Sequence, residues 1–506
     1  MHEHGTTRLR VVRAGIDTYQ QAVVFMHRDC PVCRSEGFTA LTRICLQVGD
    51  RELVATLNVV TNGVLGTDEV ALSEAAWKAL DPAEPSYATF SHAEPPRSAQ
   101  ALRAKVFGGR LGDEDALQLM RDAVDGLYSD IELAAFVTAC AGDRLDDAET
   151  LSIARAMVAV GERLDWGPGP VLDKHCVGGL PGNRTTPIVV AIVAALGHRI
   201  PKTSSRAITS PAGTADTMEV MAPVDLDLAT MRRVVEREGG CIAWGGNVRL
   251  SPADDVLIRI ERPLDFDSDG QLVASVLSKK VAAGSTHVLV DVPVGPTAKV
   301  RSAAAAAASL SRRLRATGAA LGLEVRLHLS DGTQPVGRGI GPALEARDVL
   351  AVLRGEADAP RDLRERALAL AAQLLEMAPG AVRGSGERLA RETLDSGLAL
   401  SKFLAICEGQ GGFREPPGAA HTAEVAAQAS GIVAGIDNRR LAKVAKLAGA
   451  PLAAAAGLDC GLRVGDRVER GQALFTVHAQ TRGELDYALA YARANPGILA
   501  LREPTP

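Results

Sequence analysis

The spacing of hydrophobic and polar positions changes several times along the chain. Residues 22–26 and 53–60 are strand-like apolar runs, and Asn62-Gly63 supplies a turn signal within a β-rich region over 8–93. From 98 to 165 the apolar residues recur at helical spacing instead. Ser129-Asp130 precedes a helix over 131–141, and 145–147 begin another that runs to about residue 164. The pattern predicts a β-rich segment followed by a helical one.

An alternating α/β pattern begins near residue 170. Strand-like runs over 286–292 and 324–328 alternate with alanine-rich helices such as 301–320. The apolar run 187–196 is too short to span a bilayer and predicts a buried helix. Farther on, a strand-like run over 431–436 and alternating apolar residues over 461–477 predict a small β-hammerhead.

Proline-rich stretches divide these segments. Residues 81–85 and 94–96 predict one linker, and 416–421 predict a second. We therefore expect a multidomain protein of α/β and α+β class. Its parts are a β-rich N-terminal domain over 1–96, a helical domain over 97–168, a large α/β domain over 169–420 and a C-terminal α+β hammerhead over 421–506.

Composition excludes several classes of function. The formal net charge of −5 argues against binding to a nucleic-acid polymer, and 3% aromatic residues argue against a site built from stacked rings. The start Met1-His2-Glu3-His4 lacks the basic and apolar pattern of a signal peptide. Because the eight cysteines are scattered, we expect reduced thiols, a cytoplasmic location and no membrane association.

Candidate chemistry is concentrated in a glycine-rich run from Asp173 to Thr186. It combines a glycine turn, two cations and two hydroxyls with the start of an apolar helix. Backbone N–H groups there, with Lys174 and Thr186, would suit a phosphate-sized anion. No Walker spacing is present, which argues against an ATPase. On spacing alone, a structural glycine turn with a capping threonine is about as well supported as an anion site.

A second run, over 201–219, follows the apolar helix. Six hydroxyl residues between 203 and 214 surround a single arginine, Arg206. A hydroxyl-stabilised turn with a helix cap at Thr214 would explain such a run structurally. Two runs of this kind joined by one helix are harder to explain by local structure alone.

These two runs resemble the thymidine/pyrimidine nucleoside phosphorylase family. The resemblance rests on D-K-H-x-x-G-G at 173–179 and K-x-S-x-R-x-x-x-x-x-x-G-T-x-D at 202–216. It continues through 245–247, 251–255, 270–280 and 293–299, and covers essentially 97–500. The longer forms over 179–186 and 204–214 are similar to the AMP phosphorylase branch and to bacterial proteins that carry the name putative thymidine phosphorylase.

The resemblance implies phosphorolysis, in which inorganic phosphate displaces a base from the anomeric carbon of ribose. It implies a cleft between the helical and α/β domains, with about 252–282 joining the helical domain. No metal or organic cofactor is expected; inorganic phosphate is a co-substrate. We also expect a homodimer or larger homo-oligomer. The implied catalytic residues are Asp267, Lys174 and His175. The implied substrate-binding residues are Gly179, Thr186, Ser204, Ser205, Arg206, Ala207, Ile208, Thr209, Ser210, Thr214, Ser275, Lys279 and Lys299.

Two positions depart from the family pattern. Cys176 stands where a serine is common, which would remove one hydroxyl donor to phosphate. Ile260 stands where pyrimidine-selective members have an arginine that holds the base, although Ser275 and Lys279 match the other two base contacts. In the AMP phosphorylase branch a residue matching Asp267 protonates the leaving base, and residues matching Ser275 and Lys299 bind the nucleotide. An exposed acidic turn would also explain Asp267.

The leading hypothesis is phosphorolysis of a nucleoside 5′-monophosphate such as AMP, giving free base and ribose 1,5-bisphosphate. The alternative is thymidine phosphorolysis, giving thymine and 2-deoxyribose 1-phosphate. Anthranilate phosphoribosyltransferases share the general architecture, but their pyrophosphate signature is not seen. A nucleotide-binding or redox-sensing protein without catalysis is the non-enzyme alternative.

A CxxC pair, Cys30 and Cys33, lies outside the phosphorylase hypothesis. A zinc or redox site is one interpretation. There is no second CxxC, and His27 and Cys45 do not complete a strong ligand pattern. Two reduced structural thiols are the preferred interpretation.

Overall fold

The computed structural model describes residues 8–207, 210–246, 248, 250–264, 268–302 and 309–503. The chain divides into two compact units, one comprising residues 1–144 with 259–266 and the other 145–258 with 267–506. Within the described ranges, no helix is both long enough and apolar enough to cross a membrane. All eight cysteines are free thiols.

The first unit begins with a closed six-stranded barrel, in the strand order β1-β5-β2-β4-β3-β6. Its strands are β1 (Leu9–Arg13), β2 (Val23–His27), β3 (Arg43–Val48), β4 (Arg51–Val60), β5 (Glu69–Leu72) and β6 (Tyr87–His92), with short helices α1 (Pro31–Glu36) and α2 (Glu74–Leu80). Leu9, Met26, Ile44, Leu57 and Leu72 are buried inside it. The predicted β-rich region is confirmed.

The end of the barrel differs from the linker prediction. Strand β6 follows the proline-rich stretch 81–85 and pairs with both β1 and β3. Residues 81–85 therefore form a loop within the barrel, because the strand that closes the barrel comes after them.

Three helices follow in the first unit: α3 (Ala99–Val106), α4 (Asp113–Val124) and α5 (Asp130–Cys140). Ser129 caps α5 by accepting from the Glu132 N–H, while the Glu132 carboxylate accepts from the Ser129 N–H. This capping box satisfies two N–H groups that would otherwise lack partners, and it explains the predicted helix start. The buried Asp122 carboxylate accepts from both the N–H and the hydroxyl of Ser98, which fixes α3 to α4.

The second unit contains parallel strands and many helices. The strands are β7 (Leu172–Cys176), β8 (Ile200–Ser204), β9 (Gly240–Trp244), β10 (His287–Val294) and β11 (Glu324–Asp331). They pair in parallel as β11-β10-β7 and as β8-β9. The helices are α6 (Asp147–Ala159), α7 (Thr186–Ala195), α8 (Thr214–Glu219), α9 (Leu228–Glu238), α10 (Pro252–Leu264), α11 (Asp269–Ala282), α12 (Ser311–Ala320), α13 (Pro342–Arg354), α14 (Arg361–Leu375), α15 (Gly386–Asp395) and α16 (Leu398–Gln410). The last residues of α10 belong to the first unit.

Helix α7 is the centre of this core. It corresponds to the predicted apolar run, and its residues from Thr186 to Ala194 are all buried. A helix that is apolar on every side must be surrounded by protein, and α7 packs against α14, α16 and β9. Helix α6 ends at Ala159, earlier than predicted. Of the predicted helix 301–320, α12 forms the last part, and 303–308 lie outside the described residues.

The C-terminal part is α+β, as predicted. It comprises β13 (His421–Ala426), β14 (Gly431–Ile436), β15 (Gly457–Asp459), β16 (Arg467–Val468), β17 (Ala473–Ala479), β18 (Leu499–Arg502), α17 (Asn438–Leu447), α18 (Arg482–Ala494) and a 3₁₀ turn at Pro496–Ile498. One sheet has the order β12-β15-β17-β13, in which β12 (Gly339–Ile340) comes from the α/β segment, and a second has the order β16-β14-β18. Leu441, Val444, Leu458 and Val477 lie in their shared core.

Candidate active site

Lys174 lies near the end of β7, just before the first glycine turn. Its side chain is 1% exposed, and its Nζ donates to the Thr185 hydroxyl at 2.8 Å and to the Thr186 hydroxyl at 3.4 Å. Burial lowers the pKa of Lys174. The structure thus places the predicted lysine against hydroxyls at the start of α7, and a helix N-terminus favours an anion.

Thr185 is a site residue that the sequence analysis missed. It is fully buried, and its hydroxyl is the nearer partner of Lys174. A hydroxyl that accepts from a lysine keeps its own hydrogen available for donation. Thr185 and Thr186 can therefore each donate to a further acceptor. The doubled threonine of the sequence was the available signal.

The glycine turn after β7 has a strict backbone requirement. Gly178 and Gly179 have φ values of +87° and +82°, in the left-handed region. At Gly179 a Cβ atom would also lie 2.7 Å from the backbone nitrogen of Lys299. The turn brings two predicted site residues, Gly179 and Lys299, together, and the Lys299 side chain is exposed.

The two glycine-rich runs are in direct contact. Thr214 is the first residue of α8, and its hydroxyl accepts from Arg184 Nη1 at 2.7 Å. Arg184 Nη2 donates to the Ala212 carbonyl at 2.9 Å. Ser204, also in the second run, is the last residue of β8. Arg184, in the first run, thus connects that run to Thr214 of the second.

Other predicted residues of the second run stabilise the run itself. Asp216 Oδ2 accepts from the N–H groups of Ala207 at 2.6 Å and Gly213 at 2.8 Å. The Ser205 carbonyl accepts from the Ala215 N–H at 3.4 Å, and the Ser210 hydroxyl donates to the Ala212 carbonyl at 2.9 Å. Ile208 and Thr209 lie outside the described residues.

Arg206 is paired with acidic groups. Its Nη2 donates to Glu219 Oε1 at 2.8 Å, and its guanidinium lies 5.0 Å from the centre of the Trp244 ring. The hydrogen bond to Glu219 raises the pKa of Arg206. Its charge is therefore largely compensated within the loop.

His175 and Cys176 complete β7 as uncharged groups. Burial, reinforced by the charges of Lys280 and Lys202, lowers the pKa of His175 well below its usual value, so its imidazole is neutral at pH 7. Burial raises the pKa of Cys176 to about 11, so its thiol stays protonated. The sulfur accepts from Gly178 N–H and Asn183 Nδ2, each at 3.4 Å.

A buried group of charges lies behind β7. Asp173 accepts from Lys202 at 3.3 Å, from Lys280 at 2.8 Å and from the Ser285 hydroxyl at 3.1 Å. Burial lowers the pKa of Lys280 to about 7, with the neighbouring Lys202 acting in the same direction. These contacts join β7, β8 and α11 at the base of the site.

Helix α11 carries two predicted base contacts, Ser275 and Lys279. They are four residues apart and therefore share one face of the helix. Lys279 Nζ lies 2.7 Å from the buried Asp254 carboxylate. Ile260 on α10 is buried, with its side chain 5% exposed. Asp267, the predicted proton donor, lies outside the described residues.

The CxxC pair lies in the barrel core. Cys30 is the N-cap of α1, its sulfur accepts from the Cys33 N–H at 3.2 Å, and both side chains are buried. Among the described residues no group of three or more His, Cys, Asp or Glu side chains is arranged to hold a metal ion.

Three segments of the chain match known family descriptions. Residues 99–161 match the helical bundle domain of the glycosyl transferase family, and 168–400 match its a/b domain. Residues 432–498 match the pyrimidine nucleoside phosphorylase C-terminal domain.

Relatives of nearly full length are also similar. "Putative thymidine phosphorylase 2" from Acidovorax sp. (strain JS42) is 63% identical over 99% of each chain. "Putative thymidine phosphorylase 1" from the same strain is 64% identical over 98% of this chain and 97% of the relative. "Putative thymidine phosphorylase" from Hahella chejuensis is 57% identical over 99% of each chain.

The anthranilate phosphoribosyltransferase of Thermus thermophilus is similar in structure. It covers 61% of this chain and 99% of its own with a TM-score of 0.50 and 22% identity, a likeness that shows the fold alone. The matches to the glycosyl transferase family domains and to the nearly full-length relatives define a pentosyltransferase enzyme. The chain belongs to the thymidine/pyrimidine nucleoside phosphorylase family.

Proposed function

We propose that this enzyme catalyses phosphorolysis of an N-glycosidic bond by inorganic phosphate. The observation that carries this proposal is the buried Lys174 ammonium, which donates to two threonine hydroxyls at the start of α7. A buried cation is costly unless it meets an anion or strong acceptors. The buried Asp291 carboxylate favours the charge of Lys174, and the two hydroxyls that accept from Nζ can themselves donate to a bound anion. A dianionic phosphate completes such an arrangement.

In the proposed reaction, Lys174, Thr186, Ser204 and Thr214 bind phosphate. A phosphate oxygen forms a bond to the anomeric carbon while the bond from that carbon to the base nitrogen breaks. The base leaves with the electron pair of that bond and takes up a proton. Lys174 and the α7 N–H groups stabilise the phosphate during this displacement, and the neutral His175 imidazole hydrogen-bonds the nucleoside. We propose no metal or organic cofactor.

For the substrate, we propose a nucleoside 5′-monophosphate such as AMP, with free base and ribose 1,5-bisphosphate as products. Two observations support it. Ile260 is a buried aliphatic residue at the position where pyrimidine-selective members have an arginine. Lys299 lies beside the glycine turn at Gly179 with an exposed side chain, which suits a 5′-phosphate. Asp267 is the proposed proton donor to the base.

Thymidine is the second candidate, and it is at least as well supported. The relatives named above carry the name thymidine phosphorylase. Ser275 and Lys279 share one face of α11, as two contacts to a pyrimidine would require. The products would be thymine and 2-deoxyribose 1-phosphate.

The test is base release from AMP, CMP, thymidine and uridine, each with and without phosphate. Release from AMP only when phosphate is present supports the nucleotide proposal. Release from thymidine and from no monophosphate would overturn it in favour of the alternative. Ligand-induced thermal stabilisation with no base release from any of the four would contradict phosphorolysis of these substrates.

We also propose a homodimer or larger homo-oligomer, which light scattering tests directly. The eight free thiols support a reducing compartment, and we propose the cytoplasm.

A further inference from the structure

Arg184 uses all three nitrogens of its guanidinium on three different residues. Nη1 donates to the Thr214 hydroxyl at 2.7 Å, Nη2 to the Ala212 carbonyl at 2.9 Å and Nε to Glu345 Oε2 at 2.7 Å. Arg184 itself lies between the first glycine turn and α7. It therefore joins the two glycine-rich runs to each other and to α13.

Glu345 is the fixed end of this arrangement. Its side chain is 1% exposed, and burial raises its pKa. Oε2 also accepts from the Thr217 hydroxyl at 3.2 Å, and Oε1 accepts from the Gly341 N–H at 3.3 Å. A buried carboxylate with three donors has little freedom to move, so it fixes the plane of the Arg184 guanidinium.

The contact with Thr214 also determines the direction of its hydroxyl hydrogen. Because Thr214 Oγ1 accepts from Arg184, its own hydrogen points away from the guanidinium. Thr214 is partly exposed and begins α8, so this hydrogen can meet a bound group. Lys174 orients the hydroxyls of Thr185 and Thr186 in the same way.

We propose that Arg184, held in place by Glu345, is a positioning residue for phosphate. Arg184 fixes the separation of the two glycine-rich runs and makes Thr214 a hydrogen-bond donor to the anion. This inference rests on the proposed function. Arg184 acts through Thr214 and does not touch the substrate. A lysine cannot replace it, because one ammonium cannot reproduce three N–H directions in a plane.

The test is Arg184→Lys, which keeps the charge and removes the planar fork. We expect the KM for phosphate to rise about tenfold or more while the KM for the nucleoside or nucleotide stays within about twofold. Equal rises in both KM values, or no rise in either, would overturn the inference. The control is Lys402→Met, which breaks the pair between Lys402 and Glu238 (2.9 Å) and should leave both KM values unchanged.

A second measurement separates this inference from the proposed function. Inorganic phosphate is titrated against the melting temperature of the wild type, Arg184→Lys and Glu345→Gln. Glu345→Gln keeps an acceptor for Arg184, and it still tests the inference if Arg184→Lys does not fold. We expect stabilisation of the wild type and weaker stabilisation of both variants. No stabilisation of the wild type would contradict the phosphate site itself, whereas equal stabilisation of all three proteins would overturn only the role of Arg184.

Discussion

The barrel and the α/β segment each contain a motif that sequence patterns mark for chemistry, but the two motifs have opposite surroundings. Cys30 and Cys33 lie among apolar side chains such as Val32 and Met26. Lys174, equally buried, lies among hydroxyls and within reach of further charged groups. The comparison teaches that a motif becomes a candidate site when polar groups from separate segments converge on it, and that spacing alone does not show this.

The largest expected effect is at the centre of the α/β site. Lys174→Met should lower kcat/KM for phosphate by about 10²-fold or more, because it removes the cation that balances the anion. The variant should also be less stable, because methionine cannot balance the buried Asp291 carboxylate, whose charged form Lys174 favours. Steady-state kinetics and thermal unfolding measure the two effects. Retention of most activity would show that Lys174 is as structural as the cysteines of the barrel.

The next largest effect is a difference in stability between alanine variants of two adjacent glycines. Gly179→Ala places a Cβ atom 2.7 Å from the Lys299 nitrogen and forces alanine into the left-handed region. Gly178→Ala meets nothing within 4 Å and carries only the backbone strain. We expect a free energy of unfolding lower by about 1 kcal/mol for Gly178→Ala and by about 2 kcal/mol or more for Gly179→Ala. Denaturant unfolding measures both, and equal losses would contradict the close approach of Lys299.

A smaller effect tests whether a cysteine limits the site. Cys176→Ser supplies a stronger hydroxyl donor in place of a neutral thiol, and should lower the KM for phosphate by about two- to tenfold. Cys176→Ala is the matched variant and should give no such gain. A phosphate KM for Cys176→Ser equal to or above that of the wild type would show that the Cys176 side chain does not face the anion.

The smallest effect on activity is expected in the barrel. Cys30→Ala should leave kcat and both KM values unchanged, and lower the free energy of unfolding by about 1 kcal/mol through lost packing. Zinc content, measured by mass spectrometry on the wild type and the variant, should be the same. Stoichiometric zinc in the wild type and its loss in the variant would overturn the structural interpretation of the pair.

Local sequence patterns were sufficient to predict much of the fold. The apolar run before Gly197 predicts α7, and the capping residues around Ser129 and Asp146 predict the starts of α5 and α6. The contribution of β6 to barrel closure was not predictable, because it depends on pairing with β1 and β3 across a proline-rich loop.

Some residues of the candidate site could likewise be predicted from local sequence, and others could not. Lys174, Thr186 and Thr214 follow from motifs within short stretches of sequence. Glu345 lies 161 residues from Arg184, and Asp173 lies 107 residues from Lys280, so no periodicity connects the members of either pair. Such contacts come from tertiary packing, which brings separate segments to one buried point.

The most direct test of the central claim follows the phosphorus atom. The enzyme is incubated with inorganic phosphate and either AMP or thymidine, while ³¹P NMR monitors phosphate and chromatography measures free base. We predict that inorganic phosphate is consumed in equal amount to the base released and that a new sugar 1-phosphate signal appears. Base release without consumption of phosphate would contradict it.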